Sequence, residues 1–495
     1  MKIELYGKLE NSLPIEYKGI DLSSSPFREA LIEAFWGRSP LCAVIGPGGC
    51  GKSVLLKATA ARFRDKALCM APTGVAARNI SGGEIVAGTI HRMLGIPVLD
   101  GRNNGGDYRF WPEACDNAID AFLRVDVVLI DEISMVSANL FDYIMHQVYL
   151  ASAIRGSMIR VICFGDPMQL PPVPNAEERA QKRNPDMFFD SYHWKALHPR
   201  VFRLEKVMRQ GSGQEEFKDV LREVRLNVPG TVLEGRARSF IKGIYGKGLP
   251  ETGEVTILTP YRTDRTLPDG KTYRGCESLN RLILDEMIKS GKVEEEAVIC
   301  RPLVVKDNRT FPASEADLSQ FEFGNRLSDF SFHVGQRVMC TRNAADGTYV
   351  NGSVGTITGF GNVRETGGSK CLDENGYVGL RLDNGTDCTI YPCDYTLPEV
   401  VDSDSVRHER ITCRIIPLQP AYAMTYHKAQ GLTMDRVVLY TDGMFAEGML
   451  YIGMSRVRTA QGLYMVGDPS SVDSPKYDRT SEAGLGFLRS VGRES

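Results

Sequence analysis

Eight consecutive residues, Gly46-Pro47-Gly48-Gly49-Cys50-Gly51-Lys52-Ser53, fit the pattern G-x-x-x-x-G-K-S/T. Each position answers a demand of phosphate binding. Glycines let successive backbone amides turn inward around phosphate oxygens at the start of a helix. Gly46, Gly48, Gly49, Cys50 and Gly51 are therefore candidate nucleotide contacts. Lys52 can reach the β- and γ-phosphates, and the Ser53 hydroxyl can ligate Mg²⁺. The implied cofactors are ATP and Mg²⁺.

A second group lies at Val127-Val128-Leu129-Ile130-Asp131-Glu132, an apolar run that ends in two carboxylates. Asp131 can hold Mg²⁺, directly or through water, and Glu132 can polarise an attacking water. A kinase acting on a metabolite would usually lack the second acid, so the pair favours hydrolysis. A third group, Gly165-Asp166-Pro167-Met168-Gln169-Leu170-Pro171-Pro172, follows another apolar run. Gln169 is placed to sense a γ-phosphate. Taken alone, the segment reads equally well as a turn terminated by prolines.

The elements that position these groups are short and apolar on both faces. Leu41 to Ile45, Ala67 to Met70, Val125 to Ile130 and Ile159 to Phe164 read as buried strands that alternate with helical stretches. That alternation predicts a parallel α/β sheet with helices on both faces. Ligands bind beyond the C-terminal strand ends of such sheets, and each chemical group lies at one of those ends. Ser25 and Pro26 start a helix through Phe27, Leu31, Ile32 and Phe35. The pattern breaks over 95–117, an insertion that carries Tyr108, Phe110 and Trp111. A second α/β pattern starts at Leu204 and is interrupted by a β-like stretch over 291–415, which reads as a small barrel. It resumes over 416–468. The tail, 469–495, is rich in Ser, Asp and Gly and reads as peripheral.

The chain has 495 residues, with 62 acidic and 59 basic side chains and a formal charge of −3. This length suits two to four domains. A wholly basic nucleic-acid binder is disfavoured, but a local basic groove is not. The stretch from Arg200 to Lys247 is rich in Lys and Arg and, taken alone, reads as a solvated helix face. The 12 cysteines form no C-x-x-C pair, which points to reduced, mostly buried thiols rather than disulfides or zinc. No apolar run is long enough to span a bilayer, and the first residues lack a signal-peptide pattern. The expected location is the cytoplasm or a compartment that holds nucleic acid.

Several further motifs stand in fixed order with these groups. They are Ala71-Pro72-Thr73-Gly74-Val75-Ala76-Ala77, Thr89-Ile90-His91, Leu204-Glu205-Lys206-Val207-Met208-Arg209-Gln210, Tyr426-His427-Lys428-Ala429-Gln430-Gly431-Leu432-Thr433 and Tyr451-Ile452-Gly453-Met454-Ser455-Arg456. Together the set resembles superfamily-one DNA helicases of the 5′-to-3′ branch. It is most similar to the petite-integration-frequency (PIF-type) group, with Dda-type and RecD-type helicases as relatives. The resemblance runs from Gly46 to Arg458.

The resemblance implies two RecA-like domains with ATP between them. The first would span 40–203, after an N-terminal segment and helix over 1–39. The second would comprise 204–290 and 416–468. It would supply Arg209 and Arg456 as arginine fingers, while Gly431 approaches the nucleotide. Single-stranded DNA would cross both domains, touched by Thr73, Thr89, His91, His427 and Lys428. Forked or tailed duplex would be the substrate. Tyr108, Phe110 and Trp111 lie where the family carries a strand-separating wedge, or they anchor the insertion. The β-rich stretch resembles a Src-homology-like barrel that clamps DNA. Both arginines come from one chain, so a monomer would suffice.

The sequence departs from the pattern in two places. Residues 1–40 contain no glutamine, where relatives carry one that reads adenine, and the segment Thr263 to Ser278 is longer than usual. Its glycines and charges suggest an exposed loop. The rival readings are a DNA-stimulated ATPase, translocase or motor subunit that does not unwind alone, an RNA helicase, and a metabolic P-loop kinase.

Overall fold

A computed structural model describes residues 16–491 except 18–19, 22–24, 82–84, 97–111, 175–177, 179–184, 252–254, 268–269, 307–308, 315–329, 343, 345–347, 350–351, 398–399, 402–406, 409–410 and 475–476. Tyr108, Phe110 and Trp111 lie outside the described residues.

The first sheet has six parallel strands: β1 (Leu41–Ile45), β2 (Ala67–Ala71), β3 (Ala87–Thr89), β4 (Val127–Ile130), β5 (Arg160–Gly165) and β6 (Arg200–Arg203). Their spatial order is β3-β2-β4-β5-β1-β6. Every residue of β1, β4 and β5 is buried, as expected for strands covered on both faces. One face packs under α1 (Ser25–Trp36), α2 (Lys52–Phe63) and α3 (Gly74–Ile80), the other under α4 (Pro112–Leu123) and α5 (Ala138–Arg155). Helix α4 starts within the expected insertion and runs past its end, where Ala118 and Phe122 are fully buried in the domain core.

The second sheet is parallel and four-stranded, in the order β8 (Ala423–Thr425), β7 (Thr256–Thr259), β9 (Val437–Tyr440), β10 (Leu463–Val466). Its largest core lies against α6 (Glu215–Arg225), α7 (Gly235–Tyr245) and α9 (Met449–Met454), and α8 (Cys276–Lys289) covers smaller clusters. Between β7 and β8 the chain leaves for a β-rich insertion. Among the described residues its strands form a seven-stranded and a four-stranded sheet around one shared core. The pairing does not close into one ring, and a long hairpin, Val354–Thr366 with Ser369–Leu382, dominates it. The insertion stays in touch with its parent domain. Arg337 N–H donates to the Tyr422 hydroxyl at 3.1 Å, and Val354 and Met339 join the second-domain core.

Two further expectations are corrected. The segment after Thr263 is not a plain loop: Arg265–Thr266 and Thr272–Tyr273 pair as a short hairpin, which leads into α8. The tail is not peripheral either. Helix α10 (Glu482–Val491) returns from the second half and buries Leu485, Phe487 and Leu488 in the first-domain core. The Phe487 ring stacks on Phe189 with centroids 4.5 Å apart, and it meets Phe188 and Trp194 edge-on. Burying a large aromatic outweighs the polar composition of the preceding residues.

Of the 11 described cysteines, nine are buried and all are free thiols. No described helix is long and apolar enough to cross a membrane.

Candidate nucleotide site between two α/β halves

The glycine-rich loop follows β1, and Gly46 N–H extends the sheet by donating to Gly165 O at 3.1 Å. Gly49 (φ 83°) and Gly51 (φ 95°) adopt left-handed backbone, which a side chain would strain. Space imposes the same choice. A Cβ on Gly46 would lie 2.2 Å from Leu204 O, and one on Gly51 would lie 2.6–2.7 Å from Met208 and Phe27. The Lys52 ammonium is buried and donates to Gly46 O (2.8 Å) and Pro47 O (2.9 Å).

Asp131 and Glu132 follow β4, two strands from β1 in the sheet. Asp131 Oδ2 lies 3.5 Å from Ser53 Oγ. Burial, then the neighbouring Glu132 charge, push the Asp131 carboxyl up to about 7. A hydroxyl and a carboxylate are hard oxygen donors of the kind Mg²⁺ takes, with waters and phosphate completing its shell. Among the described residues no cluster of three His, Cys, Asp or Glu could form an all-protein metal cage. Glu132 has φ 49° and ψ 45°, an uncommon conformation for this residue type and one that marks functional sites.

The second half reaches this centre at several points. Gln430 Nε2 donates to Glu132 Oε2 at 3.0 Å. Gly431 (φ 80°) leaves room there, since a Cβ would lie 2.8 Å from Asn79 Nδ2 and 3.7 Å from Glu132 Oε1. The Tyr451 hydroxyl accepts from Gly48 N–H at 2.9 Å. Arg209 Nη1 donates to Ser455 O at 2.9 Å. Arg456 is fully buried, and among the described residues it donates to neutral groups: Ile452 O (2.8 Å), Ala429 O (3.2 Å), Leu432 O (3.3 Å) and Ser455 Oγ (2.7 Å). Burial, then repulsion from Arg209, push its guanidinium down to about 9. Both arginines converge on the phosphate loop. A Cβ built on Gly48 would stand 3.3 Å from Arg456 Nη2 and 3.4 Å from Arg209 Nη1. Two buried cations facing the glycine-rich loop form an anion-seeking pocket.

Gln169 is buried four residues past the end of β5, and its Nε2 contacts Asp166 Oδ2 at 3.4 Å. Asp166 in turn is gripped by Arg225 of α6 at 2.7–3.3 Å. Reading the Arg200–Lys247 stretch as a solvated face therefore fails at Arg225, which is buried, and at Arg209, which faces the phosphate loop. Arg238 and Lys242 remain at the surface, where both pair with Asp473.

The expected DNA contacts sit at strand ends. Thr73 lies two residues past β2 and Thr89 ends the adjacent β3, and their hydroxyls cap helices by accepting from Ala76 N–H and Arg92 N–H. Thr425 does the same for the helix that carries His427 and Lys428. Lys428 is exposed, and His427 stacks on Phe445 with its imidazole pKa lowered by burial. His91 is half-buried. Sequence reasoning missed Gln430, Tyr451 and Arg225 as site residues. The first two lie inside quoted motifs, whereas Arg225 carried no signal beyond its charge.

The family model for PIF1-like helicases matches residues 27–227, which hold the phosphate loop, both carboxylates, Gln169 and Arg209. Over that stretch the chain is similar to PIF1-like helicases. The ATP-dependent DNA helicase Pif1 of Campylobacter jejuni is 25% identical over 420 residues, covering 83% of this chain and 85% of that protein. Human ATP-dependent DNA helicase PIF1 is 28% identical over 438 residues, covering 86% of this chain and 58% of its own length. Several eukaryotic relatives are thus considerably longer than this chain. In fold it resembles Pif1 helicase from Candida albicans, with a TM-score of 0.67, 22% identity, and coverage of 95% of this chain and 100% of that one. Bacteroides Pif1 in complex with ADP-AlF4 gives 0.66 at 22% identity, covering 95% and 97%.

Proposed function

We propose that this chain is an ATP-dependent DNA helicase that moves 5′-to-3′ on single-stranded DNA and opens duplex ahead of it. The observation that carries the reading is the convergence of Arg209 and Arg456, from the second half, on Gly48 of the first. ATP hydrolysis forms a bond from water oxygen to the γ-phosphorus and breaks the bond to the β–γ bridging oxygen. Glu132 takes the water proton. Lys52, Arg209 and Arg456 stabilise charge on the transferred group, and the arginines do so only when the halves approach. Gln169 senses the γ-phosphate, and Gly431 lies against the Glu132 side of the pocket. Mg²⁺ would be held by Ser53 and Asp131 and would neutralise phosphate charge. Closing and opening of the cleft then shifts the DNA track, for which we propose Thr73, Thr89 and His91 on one half and His427 and Lys428 on the other. Phosphate contacts suit a motor that must pass any sequence. The β-rich insertion is proposed to help hold the DNA.

Every group in this scheme belongs to one chain, so one copy suffices for turnover. A Pif1 structure of similar fold (TM-score 0.58) concerns forked duplex unwound by two coordinating helicases. Cooperation at a fork is therefore a second level to test.

The test is ATP hydrolysis with and without single-stranded DNA, then unwinding of duplexes with a 5′ or a 3′ tail. Strong stimulation, with opening of the 5′-tailed duplex only, supports the proposal. Stimulation without opening points to a translocase or motor subunit. Turnover indifferent to DNA overturns it.

A further inference from the structure

We propose that Arg225 is a positioning residue for ATP hydrolysis: it clamps Asp166, and Asp166 fixes the orientation of Gln169 at the junction of the two halves. This rests on the ATPase reading above.

Arg225 is the last residue of α6, in the second half, and Asp166 is the first residue past β5, in the first. Arg225 Nη2 donates to Asp166 Oδ1 at 2.7 Å, and its Nε donates to Oδ1 and Oδ2 at 3.3 and 3.2 Å. The Asp166 side chain is fully buried, and that of Arg225 is 9% exposed. Burial alone would raise the Asp166 carboxyl, but the charge and hydrogen bonds of Arg225 outweigh it and hold the pKa below the usual range. A cation at a helix C-terminus also gains from the helix dipole.

The carboxylate passes this constraint on. Oδ1 accepts from Met168 N–H at 3.2 Å and Oδ2 from Gln169 Nε2 at 3.4 Å. With its amide NH₂ committed to Asp166, Gln169 keeps Oε1 as a buried acceptor with no protein partner among the described residues. A free acceptor there suits a hydrogen of the attacking water. The loop is gripped from two more sides. A Cβ on Gly448 would lie 2.7 Å from Met168 O, and one on Gly484 would lie 2.2 Å from Pro167 O. Arg225 also lines a cavity of about 230 Å³ with Gly46, Gly48, Tyr451 and Ser455. A change in the approach of the halves thus reaches the Gln169 side chain through this ion pair, beside the backbone packing of Gly448 on the same loop.

Removing one partner of a buried pair leaves an uncompensated charge and threatens folding, whereas neutralising both is commonly tolerated. The test therefore compares wild type, Arg225→Lys, the double variant Asp166→Asn/Arg225→Met, Gln169→Ala and the combination Arg225→Lys/Gln169→Ala. Thermal unfolding verifies the fold. Readouts are kcat and KM for ATP with saturating single-stranded DNA, and the affinity ratio of a non-hydrolysable ATP analogue to ADP. We expect the neutral double variant and Arg225→Lys to lose roughly tenfold or more in kcat, with KM changed less than about threefold. The analogue-to-ADP ratio should fall with kcat. Arg225→Lys/Gln169→Ala should be no slower than Gln169→Ala alone, because both act on one group. Wild-type kcat and ratio in Arg225→Lys, or losses that multiply in the combination, would overturn the proposal. A wild-type protein without ATP turnover would refute the ATPase reading instead, and the analogue-to-ADP ratio would still report on the clamp.

Discussion

Gln430 donates from Nε2 to Glu132 Oε2 at 3.0 Å, so a residue of the second half holds the carboxylate proposed to activate water in the first. The opposite end of the Gln430 amide, Oε1, is buried without a hydrogen-bond partner among the described residues, which leaves the Glu132 contact as its one side-chain anchor. Alignment of Glu132 thereby becomes sensitive to the separation of the halves. Gln430→Ala should lower kcat by about 10²-fold, the lower range for loss of one group that positions or stabilises at such a site, with a smaller change in KM. Glu132→Gln should bind ATP normally and not turn over. Steady-state kinetics paired with equilibrium nucleotide binding checks both, and unchanged kcat in Gln430→Ala would remove Gln430 from the mechanism.

Lys52→Ala should abolish hydrolysis while leaving most of the affinity for single-stranded DNA. The Lys52 ammonium is embedded among loop carbonyls, away from the threonine caps at the ends of β2 and β3. Fluorescence anisotropy with a labelled oligonucleotide separates the two effects. Parallel loss of DNA binding would mean that the loop also shapes the DNA track.

Arg456 carries a buried charge with no carboxylate in salt-bridge contact among the described residues, so its worth should appear when a polyphosphate binds. Arg456→Ala should cut turnover by on the order of 10³-fold, the range for loss of an arginine finger. It should also shrink the rise in Tm caused by a saturating ATP analogue, because a ligand stabilises only through its affinity for the folded form. A wild-type Tm shift together with wild-type turnover would discard the two-half cleft.

Much of this site is legible in the sequence because its signals are local. The glycine-rich loop and the acids after Val127–Ile130 declare themselves by residue type, and the apolar strands place them at one sheet edge. What stays hidden is pairing at long range. Asp166 and Arg225 stand 59 residues apart, and both are ordinary surface types until burial joins them. Helix α10 is hidden for a similar reason. Leu485, Phe487 and Leu488 show an apolar face, but nothing local says that it docks on Phe189 and Trp194 of the other half. The hairpin after Thr263 escapes because two-residue strands carry almost no periodicity.

That docking makes α10 a stability element. Phe487→Ala removes a ring stacked on Phe189 and edge-packed on Phe188 and Trp194. Such a deletion costs about 3–5 kcal/mol in a well-packed core. The expected result is a Tm several degrees lower and faster proteolysis of the first half, at little cost to kcat below the transition. An unchanged Tm would mean that α10 contributes no net stability.

Asp478, on the strap leading to α10, is buried at 3% exposure, and its carboxylate accepts hydrogen bonds from Thr480 Oγ1 at 3.2 Å and from the Asn227 side chain. Desolvation by burial raises its carboxyl to about 7. The folded state therefore binds a proton that the unfolded chain, with an ordinary value near 4, releases. Between these values the unfolded state gains stability as it ionises while the folded state stays protonated. The contribution of Asp478 thus falls as pH rises from about 4 to about 7 and is constant above that. The full cost is on the order of 2–4 kcal/mol. Asp478→Asn keeps an acceptor for Thr480 and removes the titration. It should raise Tm at pH 8 and leave it nearly unchanged at pH 4.5, as read by thermal unfolding at both values. An equal shift at the two pH values would show that the carboxyl does not titrate in this window.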